Sequence, residues 1–248
     1  MMRTSIKRCL DYKKENVMKA VSAAIDEIGG IDKFVKKGET ILLKPNLLVA
    51  TAPEKAVTTH PEIVRSVARL IKQAGGIPVI GDCPSPTTKL STALRKSGIY
   101  DVCLDEKIMI LDMQKSIQKK VKGKLFMNFR LSKAIDDVDG IINLCKFKTH
   151  MLSTLTGAVK NLYGLIPGST KLRYHATLKT PELFSDMLLD LYLATREKVR
   201  LNIMDGVLGM QGEGPFAGEL VWPKMIIASD DALALDDQFA KVTCAKGR

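Results

Sequence analysis

Short apolar runs alternate with amphipathic stretches along most of this chain, and that alternation limits the fold more than any other feature. Residues 17–28 place Val17, Val21, Ala24, Ile25 and Ile28 at spacings of three and four, the period of a helix face, and Gly29-Gly30 ends it. Ile41, Leu42 and Leu43 then form a continuous apolar run that suits a buried strand, stopped by Pro45. Pro61 and Glu62 open a helix whose apolar face is Ile63, Val64, Val67, Leu70, Ile71 and Ala74, with Gly75-Gly76 as its stop. Residues 77–80 give the next strand, 88–96 a helix, 108–111 a strand, 132–139 a short helix and 141–144 another buried strand. Helix 184–194, strand 202–204, strand 224–228 and helix 232–242 complete the series.

Strand, helix and strand at this spacing predict one α/β domain over residues 1–248, with a mostly parallel central sheet and helices on both faces. A small β-rich insertion is expected at 112–131. Around it, residues 107–133 hold eight Lys or Arg against one acid, Asp112. Lys120, Lys122 and Lys124 alternate with Val121, Gly123 and Leu125, which puts them on one side of an extended strand. Such a row serves either as a charged edge that discourages strand pairing or as an attractor of anions.

The charge balance selects partners rather than fold. Lys and Arg number 38 against 27 Asp and Glu, a net charge of +11. Acidic partners follow: small phosphorylated or carboxylated molecules, an acidic protein, or nucleic acid. Nucleic acid ranks lowest, because no helix-turn-helix, zinc-finger or aromatic-basic motif accompanies the charge. Five cysteines at wide spacings (Cys9, Cys83, Cys103, Cys145, Cys244) contain no Cys-x-x-Cys pair, which predicts reduced thiols in a cytoplasm and no iron–sulfur cluster held by this chain. No apolar run approaches the ~18 residues of a membrane span.

The charges are also unevenly placed. Residues 140–181 contain no Asp or Glu, yet hold Lys146, Lys148, Lys160, Lys171, Arg173, Lys179 and the histidines His150 and His175. A cleft lined by this segment would carry a positive potential. Lys146-Phe147-Lys148-Thr149-His150 follows directly on strand 141–144, at the carboxyl end where ligands of open α/β sheets bind. Alternation puts Lys146, Lys148 and His150 on one side while the chain stays extended. Thr156 and Lys160 are four apart at the start of a helix, a candidate anion cradle without the Gly-Lys-Ser/Thr ending of a phosphate-binding P-loop.

Other strand ends repeat this chemistry. Lys44-Pro45-Asn46 closes one strand and Asp82 another. His60 precedes a helix, where it either caps and packs or stays neutral for proton transfer. Asp82 is either a turn residue or a proton-transfer group. Asp205 precedes and Glu213 lies within a glycine-rich stretch, 206–218, read as a loop after strand 202–204. Two carboxylates there offer a divalent cation site, or they offset the lysines.

In order, Lys44-Pro45-Asn46, Thr58-Thr59-His60-Pro61, Lys146-x-Lys148-Thr149-His150, Thr156-Gly157-Ala158-Val159-Lys160-Asn161 and Gly212-x-Gly214-Pro215 resemble the family called domain of unknown function 362. The resemblance runs over roughly residues 39–237 and implies the fold and the site location, without a reaction. Many family members are fused to a ferredoxin-like module with two four-iron clusters, which this chain lacks. The chain also stops soon after Asp236-Asp237, where the family domain is expected to continue, so it reads as a short member or a truncated product.

The leading expectation is therefore a single cleft that binds a small phosphate or carboxylate ligand, with its conversion left open. Lys44, Asn46, Lys146, Lys148, Thr156, Lys160 and Asn161 would bind the ligand, His60, Asp82 and His150 would move protons, and Asp205 with Glu213 would hold the metal. The alternative is a redox-partner or maturation module that docks an acidic, ferredoxin-type protein.

Overall fold

The computed structural model describes residues 2–150, 154–178 and 180–243, without the side chains of residues 169, 175 and 176. Lys179, Cys244 and the His175 side chain therefore lie outside the described residues. Eleven strands are found among them: β1 (Thr4–Arg8), β2 (Thr40–Pro45), β3 (Ile77–Ile80), β4 (Met109–Ile110), β5 (Ser116–Lys120), β6 (Asn128–Ser132), β7 (Gly140–His150), β8 (Thr154–Leu155), β9 (Val199–Gln211), β10 (Glu219–Val221) and β11 (Met225–Ser229). The helices are α1 (Lys14–Glu27), α2 (Pro61–Gln73), α3 (Leu90–Lys96), α4 (Ile99–Asp105), α5 (Ala158–Asn161), α6 (Gly168–Thr177), α7 (Pro181–Thr195) and α8 (Ala232–Val242).

The main sheet runs β1-β11-β9-β7-β2-β3-β4. The five strands from β9 to β4 are parallel, and β11 and β1 extend one edge antiparallel. Along the chain the sheet grows from β2 outward through β3 to β4, then returns to the other side of β2 with β7 and β9. The reversal opens a crevice between the carboxyl ends of β2 and β7, the place where doubly wound sheets bind ligands.

Both faces of the sheet are covered, as strands read as continuous apolar runs require. Ile41, Leu43, Ile142, Leu144, Leu201 and Ile203 pack under α1, α2, α3 and α4. Leu42, Ile141, Cys145, Phe147 and Met204 face the opposite way, toward α5, α7 and α8. Period two thus assigns strand positions to layers: Ile142 and Leu144 of β7 face α2, and Leu42 of β2 faces α5.

The insertion is a two-stranded antiparallel hairpin, β5 with β6. The single lysine-bearing strand expected through 120–124 is not formed. Asp190 accepts the backbone N–H groups of Lys124, Leu125 and Phe126 at 2.7, 2.7 and 2.9 Å, which bends the chain out of the strand after Lys120. Lys122 and Lys124 lie in the connecting loop, and Lys124 pairs with Asp186.

Further elements differ from the sequence reading. β1 was not foreseen, because residues 4–8 carry two basic side chains; the strand lies at the edge of the sheet against β11. The 132–139 segment is only a single 3-10 turn, Lys133–Ile135. β9 runs on through Asp205 and well into the expected glycine loop. The bulge between the β7 pairings Lys146 with Asp205 and Lys148 with Met210 absorbs the extra residues. Gly209 permits it, since a Cβ there would collide with the Phe147 ring.

Candidate functional site

A cavity of about 510 Å³ opens at the carboxyl end of the sheet, beside the crevice between β2 and β7. Its volume is that of a small-molecule site. Three lysines reach it: Lys44 at the end of β2, Lys160 in α5 and Lys171 in α6. Among the described residues Asp82, just past β3, is the one acid in the lining. His150, at the end of β7, lines it as well, and Leu172, Pro215 and Phe216 form an apolar part of the wall.

The lysines differ in what they touch. Lys44 is fully buried, ion-paired to Asp82 at 2.9 Å, and donates to the Pro45 carbonyl at 2.9 Å. The other Asp82 oxygen accepts the Leu47 N–H at 3.0 Å. This pair presses against the backbone of Gly164, where a Cβ would collide with both Asp82 Oδ1 and Lys44 Nζ. Lys171 donates to the carbonyls of Cys83 and Pro84. Lys160 lies over the rings of Tyr163 and Phe184, 5.4 and 5.5 Å from their centroids. Burial and the neighbouring ammonium groups hold the Lys160 amine down at about 8, and burial brings Lys171 down to about 8 despite the pull of Asp82.

Buried asparagines set the floor of this site. Asn46 donates to Asn161 Oδ1 at 3.0 Å, Asn161 to Asn143 Oδ1 at 2.8 Å, and Asn143 to Asn202 Oδ1 at 2.9 Å. Asn143 also donates to the Ala158 carbonyl, so the chain of amides ties α5 to β2, β7 and β9. The start of α5 is not an anion cradle. The Asp236 carboxylate, from α8, accepts its first N–H groups, Ala158 at 2.5 Å and Val159 at 3.0 Å. Asp236→Ala would leave both N–H groups buried without an acceptor and is expected to cost about 1–3 kcal/mol in a urea unfolding measurement.

The single cleft expected from sequence divides into two places. Lys44, Asn46, Asp82, His150, Thr156, Lys160 and Asn161 line the cavity. Lys146, His60 and Asp205 instead form a buried cluster on the α2 face with Tyr12. Lys146 and Asp205 are both fully buried and paired at 2.7 Å. Asp205 also accepts Tyr12 Oη at 2.7 Å and the His60 backbone N–H at 2.9 Å. Lys146 donates to Tyr12 Oη at 2.9 Å, and the Tyr12 and His60 rings stack with centroids 3.6 Å apart. Lys148 reaches between the two places, donating to Asn46 Oδ1 at 3.0 Å and the Val57 carbonyl at 2.7 Å. The physical reason is the phase of the strands: Lys146 and Lys148 project from β7 toward α2, and Lys44 projects from β2 toward α5.

His60 acts as the cap of α2, its Nδ1 accepting the Glu62 N–H at 3.2 Å. Burial pushes its imidazole down to about 4, so it is neutral near neutrality. The expected cation site does not assemble around Asp205, whose two oxygens already serve Tyr12, His60 and Lys146; Glu213 is exposed in the loop after β9. Among the described residues no group of three or more His, Cys, Asp and Glu side chains is placed to hold a metal ion.

Sequence reasoning did not single out Tyr12, Asn143, Tyr163, Phe184 or Asn202, which have no motif to mark them. Lys171 did carry a signal, since it falls within the acid-free window. Among the described residues no helix is long and apolar enough to cross a membrane.

The chain is similar to known proteins over most of its length. The family model described as domain of unknown function (DUF362) matches residues 41–241. A thylakoid-associated protein of Synechocystis sp. is 34% identical over 233 residues, which is 94% of this chain and 71% of that protein. The lactate racemase apoprotein of Thermoanaerobacterium thermosaccharolyticum has a similar fold, with a TM-score of 0.61 at 12% identity. That likeness covers 95% of this chain, which spans only 56% of the racemase chain, and it concerns the fold alone.

Proposed function

The chain belongs to the domain of unknown function 362 family, and from that premise we propose that it binds a small carboxylate or phosphate ligand in the cavity beside β2 and β7. The observation that carries this reading is the charge of the lining: three lysines against one carboxylate, with that carboxylate already paired to Lys44. Among the described residues neither Lys160 nor Lys171 forms an ion pair with a carboxylate, and a ligand anion supplies one. Excess cation at the carboxyl end of a doubly wound sheet is what an anion site requires. The asparagine chain holds Lys44 and α5 in register, so the positive wall is preorganised rather than assembled on binding. Asp82 serves as the counter-ion of Lys44 in this reading, and His150 is the remaining side chain of the lining suited to proton transfer.

Malonate is a suitable probe because it stays fully ionised from neutral to alkaline pH. Isothermal titration should show one site per chain, with affinity lowered roughly tenfold or more in Lys171→Ala, the loss of a charge-assisted contact. The pH dependence has a definite sign. Anion binding needs the ammonium forms of Lys160 and Lys171, which lose their protons as pH rises through about 8. Affinity should therefore be flat below that value and fall above it. Binding that is absent, or that strengthens from pH 8 to 10, would remove the proposal.

A further inference from the structure

Lys160 is the exception among the lysines at this end of the sheet. Lys44 and Lys146 have carboxylates, and Lys148 and Lys171 donate to amide or peptide oxygens. Among the described residues no carboxylate and no hydrogen-bond acceptor pairs with the Lys160 amine. The side chain is half-buried, and the rings beneath its amine, Tyr163 and Phe184, are both buried, so the nitrogen rests on the inner, apolar wall of the cavity. The charges that act on it most, those of Lys171 and Lys44, have its own sign.

On the reading that the cavity binds anions, we propose that Lys160 is an amine nucleophile that condenses with the carbonyl group of a small anionic aldehyde or oxo acid to form a Schiff base in the cavity. Such a lysine needs two things: an amine that is partly neutral near physiological pH, and a separate cation to hold the substrate's charge. An apolar bed and adjacent ammonium groups are the means by which proteins produce the first. They act together here, bringing the amine to about 8. Lys171 provides the second requirement, on the same lining.

The step balances without a co-reactant. The lone pair of the neutral nitrogen attacks the carbonyl carbon, and the C–O π pair moves to oxygen. Proton transfer from nitrogen to oxygen gives the carbinolamine. Protonation of its hydroxyl lets water leave as the nitrogen lone pair forms C=N; one amine and one carbonyl yield one imine and one water, with no change of oxidation state. His150 lines the same cavity, and in this proposal it serves these proton transfers.

The test is reductive trapping on the full chain. The protein is incubated with glyoxylate in one arm and glyceraldehyde 3-phosphate in the other, reduced with sodium cyanoborohydride, digested and mapped by mass spectrometry. The expected result is one adduct on Lys160 in at least one arm, favoured roughly tenfold or more over exposed lysines, whose amines are protonated near neutrality. Malonate should compete with it. Lys160→Arg, which keeps the cation but cannot condense, should abolish the adduct. Adducts scattered over surface lysines, or concentrated on Lys171, would overturn the assignment. An unmodified Lys160 in a protein that still binds malonate would overturn the nucleophile and leave the anion site standing. Loss of both signals would remove both.

Discussion

Asp205→Ala is expected to destabilise the fold by about 3–5 kcal/mol, the cost of leaving one partner of a buried ion pair without the other. Asp205 and Lys146 are fully buried and 2.7 Å apart. The carboxylate also accepts Tyr12 Oη and the His60 N–H, so its removal would orphan a buried ammonium, a phenol and the backbone at the start of α2. Burial already pulls the Lys146 amine down against the raising effect of Asp205. Without that carboxylate the amine would be pushed toward its neutral form. A loss of this size is roughly a fifth or more of the ~5–15 kcal/mol stability of an ordinary domain. Urea unfolding checks it, and the double variant Asp205→Ala/Lys146→Met should recover much of the loss because it removes the orphaned charge. A single-variant loss under about 1 kcal/mol would mean that the pair is no better than an exposed one.

Lys160→Met is expected to move stability and binding in opposite directions. Replacing an uncompensated, largely desolvated ammonium with an apolar side chain of similar length should raise the unfolding free energy by about 1–2 kcal/mol. The new thioether would lie on Tyr163 and Phe184, a favourable contact for sulfur. The same substitution should lower malonate affinity roughly tenfold or more, by removal of a charged contact. A residue whose removal stabilises the protein while disabling binding is kept for function rather than folding. The two measurements are urea unfolding and titration calorimetry on the same preparation. A destabilised Lys160→Met with unchanged malonate affinity would assign Lys160 to the structure instead.

Much of the fold was legible because its signals are local. The apolar run at 41–43, the six-residue apolar face between Ile63 and Ala74, and the Pro61 and Gly75 boundaries each lie within a single element and need no partner to be read. The strand-end position of Lys44, Asn46, Asp82 and His150 could be read the same way, since a parallel sheet gathers its carboxyl ends on one edge. The acid-free window anticipated the positive lining, including Lys171.

What the sequence left open depended on pairing between distant segments. β1 became a strand because β11 offers it an edge. β9 continued past Asp205 because β7 beside it is long enough to pair with it across a bulge. Asp236 closed the start of α5 from 78 residues away. The division of the expected cleft has the same origin. Alternation along β7 put Lys146 and Lys148 on a common side, and the sequence determined that much. Which side of the sheet it was, and that it is opposite to the side reached by Lys44, followed only from how β2, β7 and β9 pair. The phase of side chains within a strand is a local property of the backbone, whereas the layer each phase faces is set by register and by the helices that cover the sheet.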